Sequence, residues 1–142
     1  MNHLKLSYEN QKTLMIQLNV DIDRVTAKIA RNTARGMKPK LLYPPSPDNE
    51  LTEQEAEAIR ALGNIPHLES ALKKIFADAT ARVAFGFLNY LDGTGDPSSK
   101  SGKWSGVALI DHPHTGDPYE MMLHDAFYDA YWDAKAMIGK SE

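Results

Sequence analysis

The sequence of 142 residues contains no cysteine, which excludes disulfide bonds, thiolate metal ligands and a cysteine nucleophile. It also lacks any stretch approaching the roughly 18 consecutive apolar residues of a membrane span, and residues 1–5 lack the apolar run of a secretory signal. The net charge of −3 is far from the basic excess that is typical of nucleic-acid-binding proteins. From these absences we expect a soluble, cytoplasmic protein without membrane association, and we do not expect nucleic acid as its partner.

What the sequence does contain is ordinary for a globular protein, with 42% hydrophobic and 25% charged residues. A chain of this length can bury a hydrophobic core without disulfides or metals. We therefore expect a single domain over residues 1–142, with a proline-rich connector at residues 37–50 inside it. The predicted fold class is mainly α: about four helices, two of them long, in an irregular bundle with a small β element near residues 104–110.

The clearest periodic signal predicts a long first helix from about Tyr8 to Arg35. Ser7 is a suitable N-cap, and Gly36 follows a basic last turn in the position that ends many helices. Five apolar residues recur at helical spacing and fall within roughly 80° of arc on one side of this helix. We call them the aliphatic stripe and expect them to face the core: Leu14, Leu18, Ile22, Val25 and Ile29.

Two further helices are predicted in the middle of the chain. Thr52 to Glu55 has the pattern of a capping box, so a short helix is expected to begin there and to end at Gly63. Pro66 is expected in the first turn of the next helix, which should continue to about Leu91 and form a buried centre for the core. Packing of this helix against the first predicts burial of Leu18, Ile22, Val25, Leu72, Ile75 and Val83.

The last third of the chain predicts a strand and a further helix. Apolar residues alternate over residues 104–110, which favours a strand. Its partner is either residues 4–6 or residues 40–43, and the sequence does not decide between them. A last helix is expected from about Tyr119 to Ile138, with an inward face formed by Leu123, Phe127, Ala130, Ala134 and Ile138.

A glycine-rich loop at residues 92–97 invites a calcium-binding interpretation. Compared with an EF-hand, Pro97 occupies the position of the required glycine and Lys103 that of the bidentate glutamate, so the motif fails. We expect Asp92 and Asp96 to be structural, with carboxylates that accept hydrogen bonds from loop amides.

Three histidines near three aspartates form the only metal-like cluster in the sequence. A His-x-His pair can chelate a metal from a strand, but Pro113 separates the pair here and no recognised metal-binding spacing supports a site. We therefore predict no metal, no cofactor and no catalytic residue, and keep as an alternative a small metal- or nucleotide-dependent hydrolase that uses Asp92, Asp96 and this cluster. The cluster comprises His112, His114 and His124 with Asp111, Asp117 and Asp125.

Two charged strips run along the predicted helices. The first, the basic strip, lies beside the aliphatic stripe and would form a surface that contacts phosphate groups. The second, the acidic-aromatic patch, lies on the outward face of the last helix and is typical of an interface with a basic partner. Alternatively, both strips are solvated or face each other inside the fold as weak surface ion pairs. The basic strip comprises Arg24, Lys28, Arg31 and Arg35; the acidic-aromatic patch comprises Asp125, Tyr128, Asp129, Trp132 and Asp133.

The second half of the chain contains a series of short aromatic and acidic strings: Phe85–Leu88, Leu91–Gly93, Gly95–Pro97, Trp104, Leu123–Asp125 and Tyr131–Trp132. These strings, within about residues 79–135, resemble those of small bacterial toxin-immunity-type proteins. The resemblance implies a non-catalytic protein that binds a cognate toxin directly and blocks its active site. We expect the acidic-aromatic patch to bind that partner, and a homodimer is compatible with the sequence. A nucleic-acid-associated or phage accessory protein acting through the basic strip is the second alternative.

Overall fold

The computed structural model of the chain describes residues 6–111 and residue 136. Within these residues the fold is mainly α, as the sequence predicts, and no helix is both long and apolar enough to cross a membrane. The described part contains three α-helices and a short 3₁₀ turn rather than four helices and a strand: α1 (Tyr8–Ala34), α2 (Glu53–Arg60), α3 (Leu68–Asp92) and the 3₁₀ turn Ser99–Ser101.

Both ends of α1 agree with the sequence. The side chain of Ser7 accepts a hydrogen bond from an amide of the first turn, so the predicted N-cap is confirmed. Gly36, with φ of 70°, ends the helix; its amide donates to the carbonyl of Thr33 at 2.9 Å, and the amide of Met37 donates to Asn32 at 3.0 Å. This pair of bonds is a Schellman motif, which satisfies carbonyls that would otherwise lack partners.

The capping box of α2 is also confirmed, whereas the next two boundaries differ from the prediction. The amide of Thr52 donates to Glu55 at 2.7 Å, and the amide of Glu55 donates back at 3.2 Å. The helix ends at Arg60 rather than Gly63. Pro66 precedes α3 instead of lying in its first turn, because His67 has φ of 64° and ψ of 0°, a left-handed conformation that cannot continue into a right-handed helix.

The end of α1 lies against the end of α2. The carbonyl of Ala34 accepts a hydrogen bond from the amide of Asn64 at 3.3 Å. A Cβ atom added at Gly36 would lie 2.9 Å from the carbonyl oxygen of Arg60. The backbones therefore approach more closely here than a side chain would allow.

Helix α1 packs against α3, and the two run antiparallel. Arg31, near the end of α1, pairs with Glu69 at 3.5 Å, and Asp23, two turns earlier, pairs with Lys73 at 2.8 Å. The C-terminal half of α1 thus lies beside the N-terminal half of α3.

The buried face of α1 is not the aliphatic stripe. The buried residues of this helix are all small: Thr26, Ala30, Thr33 and Ala34. At 100° per residue their centre lies roughly 100° around the helix from the centre of the stripe. Small side chains let the neighbouring backbones approach, and the hydroxyl of Thr26 is satisfied by the carbonyl of Ile22 at 2.7 Å.

The predicted burial of the packing residues is therefore wrong for several of them. Leu18, Ile22 and Leu72 are half-buried, but Val25 is 46% exposed, Ile75 60% and Val83 75%. No residue of α3 is fully buried, because among the described residues α1 covers only one of its sides. The prediction that α3 forms the buried centre of a core does not hold for this part of the chain.

Residues 104–110 form no strand in the structure, so that prediction is wrong as well. They are exposed, and neither they nor residues 40–43 pair in a β-ladder within the described residues. Without a partner strand, the backbone amides and carbonyls of a segment with alternating apolar residues lack hydrogen bonds, and its apolar side chains stay uncovered. Residues 4–5 lie outside the described residues, as does the predicted last helix except for Ala136, which is helical.

Candidate functional site

The acidic-aromatic patch lies outside the described residues, and its role remains a prediction. The same holds for the histidine cluster apart from its first aspartate. Within the described residues, no group of three or more histidine, aspartate or glutamate side chains could hold a metal ion. The positions left untested are Asp125, Tyr128, Asp129, Trp132 and Asp133 for the patch, and His112, His114 and His124 for the cluster.

The loop after α3 is held by residues other than the two aspartates expected to hold it. Gly93, with φ of 70°, ends α3, and the amide of Thr94 donates to the carbonyl of Asn89 at 3.0 Å. The hydroxyl of Thr94 also donates to the side chain of Asn89 at 2.9 Å. Among the described residues, no hydrogen bond or ion pair involves the carboxylates of Asp92 and Asp96, so the structural role assigned to them is wrong.

Asp111, the first aspartate of the histidine cluster, instead contacts the start of α1. Its Oδ1 atom accepts hydrogen bonds from the Nδ2 of Asn10 at 2.8 Å and from the amide of Ser7 at 3.1 Å. These bonds, that of Asn10 above all, hold the pKa of Asp111 below its usual value. A carboxylate is favoured at a helix N-terminus, where amides and the helix dipole attract negative charge. No spacing in the sequence could reveal a contact across 104 positions.

The basic strip of α1 is partly neutralised by ion pairs. Arg24 pairs with Asp21 at 3.0 Å, and Arg31 pairs with Glu69 across the helix contact. Lys28 and Arg35 make no ion pair among the described residues. The partners of Arg24 and Arg31 do not belong to the acidic-aromatic patch, so pairing between the two strips stays a prediction; exposed ion pairs such as these contribute about 0–1 kcal/mol each.

An open groove of about 590 Å³ lies between the C-terminal half of α1 and the start of α3. Two of its charged side chains, Glu69 and Lys73, are already engaged in ion pairs with α1. The groove therefore contains no obvious pair of free acid and base groups. Its walls are formed by Ala27, Ala34, Arg35, Asn64, Ile65, His67, Glu69, Ser70 and Lys73.

The C-terminal part of α3 exposes two phenylalanine rings, which lie on opposite sides of the helix because they are two residues apart. Phe85 is 68% exposed and Phe87 54%; we call them the aromatic end of α3. Phe85 and Asp92 are seven residues apart, so they lie on one side of the helix. The surface thus combines an exposed ring with a carboxylate that makes no hydrogen bond or ion pair to a described residue. Sequence reasoning missed it because an apolar run of this kind is usually buried.

No protein-family model, curated protein or solved structure matches the chain. The likeness to toxin-immunity-type proteins remains a prediction from the sequence. Several of the sequence strings that carry this likeness lie within the described residues. Phe85–Leu88 contains the aromatic end of α3, and Leu91–Gly93 forms the end of that helix. Trp104 lies in the segment after α3 that forms no strand.

Proposed function

We propose that this chain is a non-catalytic immunity protein, which neutralises a cognate bacterial toxin by direct protein–protein contact. The observation that supports the proposal most is the aromatic end of α3. The ring of Phe85, which lies on the same side of α3 as Asp92, faces solvent in a string that resembles immunity-type proteins. Aromatic residues are enriched at protein interfaces, and full burial of a phenylalanine contributes about 1.5–3 kcal/mol.

The charge next to the ring of Phe85 fits the same role. Asp92 shares a side of α3 with Phe85, and Asp96 follows within the next loop; both carboxylates lack a partner among the described residues. Negative charge beside an exposed ring attracts a basic partner over a distance, and burial of the ring then slows dissociation. The acidic-aromatic patch, which lies outside the described residues, combines the same residue types, and we propose it from the sequence as a second contact with the partner.

Co-expression with a candidate toxin domain, sought among the genes next to this one, tests the proposal. The full chain should protect cells from growth arrest and should elute with the toxin domain as one complex. Phe85→Ser should raise the dissociation constant by about 10–100-fold, which is the loss expected for an interface anchor of about 1.4–2.8 kcal/mol. Tyr8→Ser is the matched control, because Tyr8 is also an exposed aromatic residue but lies at the start of α1.

Charge reversals separate the two parts of the surface. Asp92→Lys should reduce the association rate and its dependence on salt, and Asp129→Lys with Asp133→Lys should do the same if the acidic-aromatic patch contributes. Trp132→Ala should instead accelerate dissociation. The proposal is wrong if the toxin domain neither binds nor is inhibited by the chain. The assignment of the surface is wrong if binding occurs but none of these variants weakens it.

A further inference from the structure

Helix α3 carries a narrow strip of apolar and small residues beside the face that meets α1. Its members recur at i, i+4, i+8 and i+11 and lie within roughly 80° of arc. Ile75 and Val83 are mostly exposed, and a Cβ atom added at Gly86 would meet nothing within 4 Å. We call this the α3 strip: Ile75, Ala79, Val83 and Gly86.

The α3 strip and the aliphatic stripe of α1 lie on the same side of the two-helix layer. On α1 the stripe is rotated by roughly 100° from the buried face, and on α3 the strip is rotated by roughly 80° from the residues that meet α1. When two antiparallel helices are viewed from one end, successive residues run clockwise on one helix and anticlockwise on the other. The rotation on α1 and the rotation on α3 therefore point to the same face of the helix pair. Leu14, Val25 and Ile29 on this face are exposed, like Ile75 and Val83 opposite them.

We propose that a second copy of this chain covers this face, with the two α3 helices antiparallel about a two-fold axis at Ala79. This arrangement would be a four-helix bundle made of two helix pairs. It brings Ile75 of one copy opposite Val83 of the other, and the small side chain of Ala79 lets the helices approach at the axis. Antiparallel neighbours with apolar seams are the usual packing of such bundles.

The size of the face suits such a dimer. Two helices that are each about 10 Å wide and about 37–40 Å long present a footprint of about 800 Å². Stable protein interfaces bury about 800 Å² on each partner. One layer of α1 and α3 therefore offers the area that a second copy needs.

The charges on the flank of α3 suit an antiparallel orientation of the two copies. Asp78 and Arg82 form an exposed ion pair at 2.8 Å on the flank of α3 that points away from α1. In an antiparallel two-fold pair, the same flank of each helix meets its counterpart. Asp78 of one copy then lies within one turn of Arg82 of the other, and the reverse pair forms by symmetry. In a parallel pair, the flank of one α3 that carries Asp78 and Arg82 would instead meet the opposite flank of the other α3, which lies next to α1.

Sedimentation of the full chain without any toxin, from about 1 to 300 μM, tests the proposal independently of the proposed function. We expect a dimer in this range, and Ala79→Glu should abolish it because two carboxylates would face each other at the axis. Asp78→Arg and Arg82→Asp should each weaken dimerisation by about tenfold or more through like-charge contacts. An equimolar mixture of these two variants should restore it, since each supplies the charge that the other lacks.

Arg60→Asp is the matched control, because it makes the same charge change in an exposed ion pair within α2, outside the two helices of the proposed face, and should leave dimerisation unchanged. Circular dichroism checks that each variant is folded. The proposal is overturned if the chain is monomeric at 300 μM, since residues of its own chain or solvent then cover the face. It is also overturned if the wild-type chain dimerises but the mixture behaves no better than either variant alone, which would place Asp78 and Arg82 outside the interface.

Discussion

Replacement of Gly36 by alanine should destabilise the fold more than the same change at Gly93. Both glycines end a long helix with φ of 70°, and both close a Schellman motif. They differ in their surroundings. An added Cβ atom at Gly36 would lie 2.9 Å from the carbonyl oxygen and 3.2 Å from the Cα of Arg60, whereas at Gly93 it would meet nothing within 4 Å.

The magnitudes follow from this difference. A left-handed alanine costs about 1–2 kcal/mol, partly offset by about 0.4–1 kcal/mol from the reduced entropy of the unfolded chain. We therefore expect Gly93→Ala to cost about 1 kcal/mol. At Gly36 the contact with a backbone that cannot move aside adds about 1–3 kcal/mol, which gives a total of about 2–4 kcal/mol.

Urea denaturation and thermal melting, each followed by circular dichroism, compare both variants with the wild-type protein. For a chain of this size, 1 kcal/mol corresponds to a shift of about 3 °C in Tm, so Gly36→Ala should melt about 6–12 °C lower. Asparagine at either site tolerates the left-handed conformation better but carries the same Cβ atom, so Gly36→Asn should remain worse than Gly93→Asn. Equal losses at the two sites would refute the close approach of the α1 and α2 ends.

Three further outcomes can be measured with the same methods. Ala30→Leu should lower the free energy of unfolding by about 1–3 kcal/mol because Ala30 is fully buried, whereas Val25→Ala should lower it by less than about 1 kcal/mol. The opposite order would indicate that the aliphatic stripe, rather than the small residues, forms the buried face of α1. Asp111→Asn should flatten the pH dependence of Tm. The lowered pKa of Asp111 means that its ionised carboxylate stabilises the folded state above the ordinary aspartate pKa of about 3.9. This stabilisation is lost as the pH falls from that value through the lowered pKa of the folded protein. Calcium, magnesium or zinc at sub-millimolar concentration should not raise the Tm, since a ligand bound only to the folded state would do so; a rise of several degrees would favour the hydrolase alternative.

The features that the sequence predicts correctly are those decided by a few neighbouring residues. The cap at Ser7, the glycine end at Gly36 and the reciprocal bonds of Thr52 and Glu55 each depend on chemistry within about five positions. Such local preferences act in the same way whatever the remainder of the chain does. The mainly α class follows from them.

The features that the sequence misses depend on neighbours distant in the chain. Periodicity identifies the most apolar side of a helix, but the side that is buried depends on what packs there. On α1 the close contacts at Ala30 and Ala34 required small residues, and the larger aliphatic residues were left partly exposed. Asp111 is a similar case, because its partners at Ser7 and Asn10 lie at the other end of the described chain.

The small-residue face of α1 has a consequence for how the protein would respond to random mutagenesis. In a saturation library, positions occupied by leucine and isoleucine usually tolerate the fewest replacements. Here the strictest positions on α1 should be Thr26, Ala30, Thr33 and Ala34, where nearly every replacement is larger than the space available. Val25 and Ile29 should accept polar residues without loss of folding, and any intolerance they show in a selection for activity would mark a surface that binds another molecule.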